Sequence, residues 1–420
     1  MAKSDRDKSA RQLRREREER IMDAIRLKIP DRVPIICAMG YFPAKYVGIP
    51  CSAAYYDYDA WYDAYQKTLQ DFQPDMIFPQ PFTPGKAMEI LNPRQMRWPG
   101  FGVEPYQGHQ SIEIVNMKAD EFDLYMNDPS DYMLRVFMSR TSENLEGLSL
   151  LPRLSDLGGG PMGIQMLAFA FSEPKLVKAV QTLQKAGREM RKWRPRIAKF
   201  NKMLLDMGFP QYFQGAAMPP YDALSHSLRG MSGVMFDMFR QPDKLIELCE
   251  FVLKQTLERP MPGPNEYGNT RMFMTVTRGS DDFISRKQWD TFYWPTFKKL
   301  VMALIERGAT PCIFFEGNCT SRLEYLLEFP KGKMLARFDT TDIFRAKEIL
   351  KDHICIEGNV PSSLLQVGTV QQVKEHCKQL IDVVGKGGGY IIAPRSSTDE
   401  VNPDNLKTMI EFTKEYGVYR

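Results

Sequence analysis

Eight short apolar runs recur along these 420 residues and constrain the fold more than any other feature. They are VPIICAM (33–39), DMIFPQ (75–80), QYFQGAAM (211–218), RMFMTVT (271–277), TPCIFFE (310–316), KMLARFD (333–339), ICIEGNV (354–360) and GYIIAP (389–394). Each is continuously apolar over most of its length, the pattern of a strand buried on both faces of a parallel sheet. Between most of them lie segments with apolar residues at helical spacing: 175–193, 284–308, 342–350 and 370–388. A terminal helix is signalled by Asn402 as N-cap and Pro403 in the first turn. The count of eight predicts an α/β fold of the (β/α)8 barrel type, with a doubly wound open sheet as the alternative. The phosphate loop of that alternative, G-x-G-x-x-G after the first strand, is missing from MGYFPAKYVGIP. The glycine-rich stretches at 156–163 and 385–390 are read as turns.

The domain reading follows. Residues 1–30 form a charged helical arm, and 31–420 form a single barrel domain with an insertion at about 81–210 over the barrel mouth. The arm mixes basic residues with Asp5, Asp7, Glu16, Glu18 and Glu19, so it reads as a solvated helix or a subunit contact, and a homo-oligomer is among the expected assemblies. With 56 basic and 52 acidic residues, the net charge of +4 is too balanced for a nucleic-acid binder. No apolar run approaches the length of a membrane span, and the arm lacks the apolar stretch of a secretory signal. Seven scattered cysteines without a C-x-x-C pair suit a reducing compartment, and a cytoplasmic location is expected.

In barrels of this type chemistry gathers at the C-terminal ends of the strands. Those ends give Met39 to Tyr41, Gln80, Met218 to Tyr221, Arg278 to Asp282, Glu316, Asp339 to Asp342, Asn359, and Arg395 to Ser397. Glu316 follows four apolar residues, where a carboxylate is costly unless it is paired or used. It is read as a catalytic or metal-binding group, or as a partner of Arg278 or Arg395. Among four histidines, His226 is the acid–base candidate, because His353 precedes a strand, His376 lies within a helix and His109 falls in the insertion. Asp281 or Asp282 is expected to cap the helix starting near Ile284, the other being free for the site. Tyr41, Phe42, Met218, Tyr221 and Trp98 are candidates for an apolar substrate cavity.

The last third carries a family resemblance. DTTDIFRAKEILKDHICIEGNVPSSLLQVGTVQQVKEHCKQLIDVVGKGGGYII, followed by the NPDNLKTMIE helix, is similar to the closing segment of the uroporphyrinogen decarboxylase superfamily. ADEFDLYMNDPSDYML (119–134) resembles its cobalamin-dependent methyltransferase branch more than the decarboxylases. The resemblance covers about residues 18–420 and implies a (β/α)8 barrel. The decarboxylases carry an arginine-rich motif after the first strand, where this chain has AMGYFPAKY (38–46). Their catalytic aspartate after the second strand is matched by Gln80, and their active-site tyrosine by His226 within PYDALSHSLRG. An amide cannot stabilise a cationic pyrrole intermediate as a carboxylate does, so porphyrinogen decarboxylation is not expected. The thiol methyltransferases place zinc-binding His and Cys where FFEG stands here, with Phe314 and Glu316 in those positions.

The resemblance therefore implies a methyltransferase that moves a methyl group from a small donor, such as an aryl methyl ether, to cobalamin on a separate corrinoid protein. This chain has no D-x-H-x-x-G motif to hold the corrinoid itself. The catalytic candidates are His226, Glu316, Gln80 and Asp282. The substrate-binding candidates are Tyr41, Met218, Tyr221, Arg278, Asp339 and Arg395. Zinc, held in part by Glu316, is the metal this branch implies. A lyase or decarboxylase acting on a small acid, anchored by Arg278 or Arg395, is the alternative enzyme; a non-catalytic binding barrel is the alternative of another class.

Overall fold

The computed structural model describes residues 8–80 and 82–419. Residues 1–7 of the expected arm, Pro81 at the start of the expected insertion, and Arg420 lie outside the described residues. All eight apolar runs contain a strand: β1 (Ile36–Gly40), β2 (Met76–Pro79), β3 (Gly215–Ala216), β4 (Arg271–Val276), β5 (Thr310–Phe315), β6 (Leu335–Phe338), β7 (Cys355–Glu357) and β8 (Tyr390–Ile391). All ladders between them are parallel. Strands β8, β7, β6, β5, β4 and β3 follow one another in one sheet, and β1 pairs with β2. A parallel bridge between Ile35 and Ile392 joins β1 to β8, with Ile36 N–H donating to the Ile392 carbonyl at 3.0 Å.

The outermost strands of this row, β2 and β3, meet through aromatic rings. Phe78 packs at 5.6 Å from Tyr212, 5.4 Å from Phe213 and 5.2 Å from Phe273. No backbone ladder joins β2 to β3 among the described residues. Prolines at 210, 219 and 220 flank β3 and leave only two of its residues in register with β4. Inside the row, Ile36, Met76, Cys312, Leu335, Cys355 and Ile391 form one buried cluster, one residue from each of six strands.

The principal helices are α1 (Ala10–Ile25), α2 (Tyr58–Phe72), α3 (Pro174–Asp206), α4 (Pro242–Glu258), α5 (Trp294–Glu306), α6 (Ile343–Leu350), α7 (Val370–Val383) and α8 (Pro403–Tyr416). The Asn402 side chain accepts from Asp404 N–H at 2.9 Å, as an N-cap should. The 385–390 stretch turns sharply before β8, with Gly387, Gly388 and Gly389 at φ of 83°, 85° and 65°. Within 81–210, short strands at Met96–Pro99, Gly102–Val103 and Gln110–Ser111 form a small ribbon. The C-terminal half of α3 belongs to the layer around the strands: Phe200 and Met203 are buried, and Phe200 stands 5.0 Å edge-on to Tyr65.

Helix α1 corrects the reading of the arm as a solvated helix. Ser9 starts it with a capping box to Gln12. Ile21, Met22, Ala24 and Ile25 then join the buried cluster at the N-terminal ends of the strands. Its charges are also inside. Glu18 and Arg271 are each 1% exposed and pair at 2.6 Å. Asn265 and Asn269 donate to the same Glu18 oxygen at 2.8 and 2.7 Å. Beside them Asp75 accepts from Arg20 and from both Nη atoms of Arg32, each at 2.7 Å, and from Ile35 N–H at 2.9 Å. Part of the interleaved charge, Arg17 and Glu18 above all, is thus buried against the strands, while Arg11, Arg15 and Glu19 face solvent.

Burial opposes the charge of Asp75, but Arg32 and Arg20 hold its pKa well below the usual carboxylate range. A carboxylate lowered in this way stabilises the fold at pH above about 4, its unfolded value, and loses that contribution as acid approaches the folded value. Replacing Asp75→Ala takes the carboxylate partner from Arg32 and leaves Arg20 only Asp31, and should cost about 3–5 kcal/mol at pH 7 in urea unfolding. The deficit relative to the native protein should shrink on acidification. A variant as stable as the parent at pH 7 contradicts this role.

Candidate functional site

Side chains alternate along a strand, so residues two and four beyond the buried cluster share its inward face. From Cys312 the positions are Phe314 and Glu316; from Leu335, Arg337 and Asp339; from Cys355, Glu357 and Asn359. The inward face thus changes from apolar at the bottom to charged at the rim. Phe314 and Thr275 remain partly accessible, whereas Cys312, Leu335 and Cys355 below them are buried. This makes a well open from the C-terminal ends of the strands. Its wall holds Arg337 at 4.8 Å over the Phe314 ring and 3.6 Å from Glu357, whose other oxygen accepts from Tyr212 OH at 3.2 Å.

At the rim two carboxylates face each other's field. Glu316 is exposed, and its Oε2 accepts from Thr277 Oγ1 at 2.9 Å. Asp339 accepts from Gly317 N–H at 3.2 Å. Burial raises the Asp339 pKa and the Glu316 charge raises it further, against the pull of that N–H, Arg395 and Arg337. Asn359 fixes the loop behind, donating through Nδ2 to the carbonyls of Asp339 at 2.8 Å and Thr341 at 3.0 Å.

Asp222 supports this rim from below, and the sequence reading did not single it out. It is fully buried and accepts from Thr277 N–H at 3.0 Å, Arg278 N–H at 2.9 Å and Tyr293 OH at 2.6 Å. Burial raises its pKa, while those donors and His226 oppose the rise. His226 itself is exposed on the π-helical turn Leu224–Leu228. Asp222 thereby links the His226 turn to Thr277, and Thr277 to Glu316. An acid four residues before His226 in PYDALSH was the available sequence signal.

Arg278 and Arg395 stand on loops after β4 and β8. The Nε of each is buried without a hydrogen-bond partner among the described residues. Arg278 lies 5.0 Å over the Phe283 ring, and Arg395 acts on Asp339 through its charge. Neither pairs with Glu316, whose side chain is held instead by Thr277. Met218 is 39% exposed after β3. Gln80 ends β2, its N–H donating to Tyr65 OH at 2.7 Å.

Other candidates serve structure. Tyr41 is buried, its hydroxyl bonded to Tyr55 OH at 2.8 Å and His109 Nδ1 at 2.9 Å. Tyr221 is 1% exposed and packs 5.5 Å from Tyr293, away from the well. Phe42 and Trp98 are buried as well. Asp282 accepts from Asn318 N–H at 3.3 Å, and Asp281 from Ser321 Oγ at 2.6 Å. Both acids brace the loop after β5. The cap expected from one of them is made by Ser285, in a capping box with Gln288. No three His, Cys, Asp or Glu side chains converge as a metal site among the described residues. Glu316 is part of no such group of three among the described residues.

The comparison with known proteins bears on this geometry. Residues 212–416, which carry Asp222, Thr277, Glu316, Asp339 and Arg395, match the family model described as uroporphyrinogen decarboxylase (URO-D). Those residues, just under half of the chain, are similar to the uroporphyrinogen decarboxylase family. The chain's similarity to individual decarboxylases is partial. It is 26% identical over 140 residues to uroporphyrinogen decarboxylase of Chlorobium phaeobacteroides, covering 32% of this chain and 39% of that protein. It is 27% identical over 137 residues to the Chlorobium phaeovibrioides enzyme, covering 31% and 38%. The chain thus aligns with about two fifths of the curated relatives' length. A solved structure described as a methyltransferase from Methanosarcina mazei superposes with TM-score 0.57 at 12% identity, over 95% of this chain and 98% of that one. That likeness is one of fold alone and extends along almost the whole chain, including the stretch before residue 212.

Replacing Asp339→Asn keeps an acceptor for Gly317 N–H and removes a carboxylate whose ionisation the fold opposes. A raised pKa makes that penalty present above the folded value and absent below the ordinary carboxylate value. The variant should therefore be more stable than the parent at pH 7. The gain should vanish near pH 3 in urea unfolding, and a loss of stability at pH 7 is the opposing result.

Proposed function

We propose that this protein is a closed (β/α)8-barrel methyltransferase acting at the rim formed by Thr277, Glu316 and Asp339. Its donor is a small methylated compound, and its acceptor is cobalamin carried by a separate corrinoid protein. The observation that carries the reading is the Glu316–Asp339 pair at the solvent-reached rim, where burial, with the Glu316 charge adding to it, raises the Asp339 pKa and shifts that carboxyl toward its protonated form. A reduced corrinoid, once docked, supplies the nucleophile that accepts the methyl group. The task left to this chain is to protonate the heteroatom that the methyl group leaves.

Asp339 is suited to that task. Its proton passes to the departing heteroatom, and the resulting carboxylate is received by Gly317 N–H and the nearby Arg395 charge. Glu316 stands next to Asp339 and is oriented by Thr277, which Asp222 fixes through the backbone. His226 replaces the acid only if the turn carrying it approaches the rim, so Asp339 takes precedence. The accessible Glu316 and His226 fit an acceptor brought from outside the chain. Zinc does not fit the donor set at Glu316, and no step is assigned to it.

A second reading is favoured by Arg278 and Arg395, two guanidinium groups whose Nε atoms lack partners. They would suit a substrate carboxylate in a lyase or decarboxylase, with Asp339 returning a proton to the carbanion left after carbon dioxide departs.

The experiment combines the protein with reduced corrinoid protein and a panel of methyl donors, following methylcobalamin by its visible spectrum. A required acid gives turnover that persists at low pH and falls as pH rises through the Asp339 pKa. Glu316→Gln removes the neighbouring negative charge, lowers that pKa and should move the alkaline limb to lower pH. Asp339→Asn should lose at least about 100-fold in kcat, the usual contribution of a positioned acid. Silence with every donor, together with carbon dioxide release from small acids, would replace methyl transfer by the second reading.

A further inference from the structure

Helix Pro161–Ala170, PMGIQMLAFA, is the least explained element of the fold. Only Gly163 within it is buried. Met162, Ile164 and Phe169 are 73%, 72% and 74% exposed, and no charged residue occurs from Gly158 to Ser172. Met162, Met166 and Phe169 share one side at i, i+4 and i+7 spacing, while Ile164 lies on the other. Apolar side chains on two opposite sides of one exposed helix exceed what a monomer in water ordinarily shows. A flat protein interface would cover one side and leave the other in water. A fluid apolar phase covers both.

The adjoining helix supplies charge. Only Phe171, Ser172 and Glu173 separate the apolar helix from α3, which carries ten Lys and Arg against Glu189 and Asp206. That excess is larger than the +4 of the whole chain. Leu176, Ala179, Thr182 and Ala186 are buried on one face of α3. Lys178, Lys185, Arg188 and Lys192 recur along an exposed flank beside that face, and Arg196 and Lys199 continue it with their charges over the Tyr58 and Tyr62 rings. At 1.5 Å per residue, the 33 residues of α3 extend roughly 50 Å, whereas the six residues of β4 or β5 rise about 20 Å. A basic face therefore runs along the flank of the molecule and ends at an uncharged apolar helix. Two copies meeting symmetrically through this region would oppose like charges, which disfavours a second copy as the occupant.

We propose that this region is a peripheral membrane-binding surface for anionic bilayers, with helix Pro161–Ala170 inserted among the acyl chains and the basic face of α3 on the headgroups. No helix is long and apolar enough to cross a membrane, and insertion at the interface needs none. None of the residues named for this surface belongs to the rim, so the inference does not rest on the reaction proposed above.

The test is co-sedimentation of the full chain with phosphatidylglycerol-containing vesicles and with pure phosphatidylcholine vesicles at low and high salt. The protein should pellet with the anionic vesicles at low salt, at least roughly tenfold more than with neutral ones, and lose that preference at high salt. The double variant Ile164→Asp/Phe169→Asp should lose about tenfold in partitioning, and so should Lys185→Glu/Arg188→Glu, with melting temperatures near the parent's. Because Ile164 and Phe169 are exposed, both variants should fold. Absence of vesicle binding at low salt overturns the proposal. So does equal binding by the helix variant, or a stable dimer that the helix variant dissolves. Salt-sensitive binding to an acidic protein without binding to vesicles likewise assigns the surface to a protein partner.

Discussion

The buried pairing of Glu18 with Arg271 fixes which end of the strands is floor and which is mouth. Arg271 is the first residue of β4, and Glu18 sits midway along α1. Their contact holds the helix across the N-terminal ends, where Ile21, Met22 and Ile25 complete the apolar cluster. A buried ion pair is a poor source of net stability, because desolvating both groups offsets most of their attraction. Its value is in specificity: a displaced α1 would strand Arg271, together with Asn265 and Asn269, without the acceptor they share. The Asp75 network repeats the device at β2. With the floor sealed twice by hydrogen-bonded charge, access to the interior is left to the opposite end.

From that floor upward, polarity follows position along the strand. Cys312, Phe314 and Glu316 occupy one inward column; Leu335, Arg337 and Asp339 occupy the next. The alternation that places them inward also limits each strand to one group at the rim. A pair of carboxylates must then come from neighbouring strands, and the parallel register of β5 with β6 brings Glu316 and Asp339 together. The register is set by backbone ladders and apolar packing two layers below, far from any solvent that could relax it. Chemistry at the rim therefore inherits its precision from the sheet.

Much of this was legible in the chain. All eight strands fall inside runs recognised by continuous hydrophobicity, because burial on both faces leaves a signal that needs no partner to interpret. The rim residues Glu316, Asp339, Asn359 and Arg395 follow from strand ends alone. What escaped notice depends on contacts distant in sequence. Asp222 gains its role from backbone groups 55 and 56 residues away. Tyr41 and Tyr221 also end or follow strands, yet their rings turn into packing and hydroxyl bonds, a choice that sequence position does not decide. The same holds for α1, whose mixed charges look solvated until Arg271 and Asp75 are placed beside them. The β2–β3 seam is likewise invisible in sequence, since Phe78 and Phe213 are ordinary apolar residues until no ladder stands between their strands.

The contrast between Gln80 and Asp339 shows how a shared scaffold can change its proton chemistry. An amide after β2 carries no charge to stabilise a cation, and it leaves that side of the rim neutral. The carboxyl groups lie instead on β5 and β6, close enough for one to raise the pKa of the other. A lone ionised acid in this setting would attract positive charge; here burial and the neighbouring Glu316 shift Asp339 toward its protonated form. Burial alone would raise Asp339 and also weaken its conjugate base, which the Gly317 N–H and the Arg395 charge counteract. Once ionised, the Asp339 carboxylate is therefore not an unsupported anion. In the reaction proposed above, that balance would serve a leaving heteroatom, or a carbanion, rather than a cation.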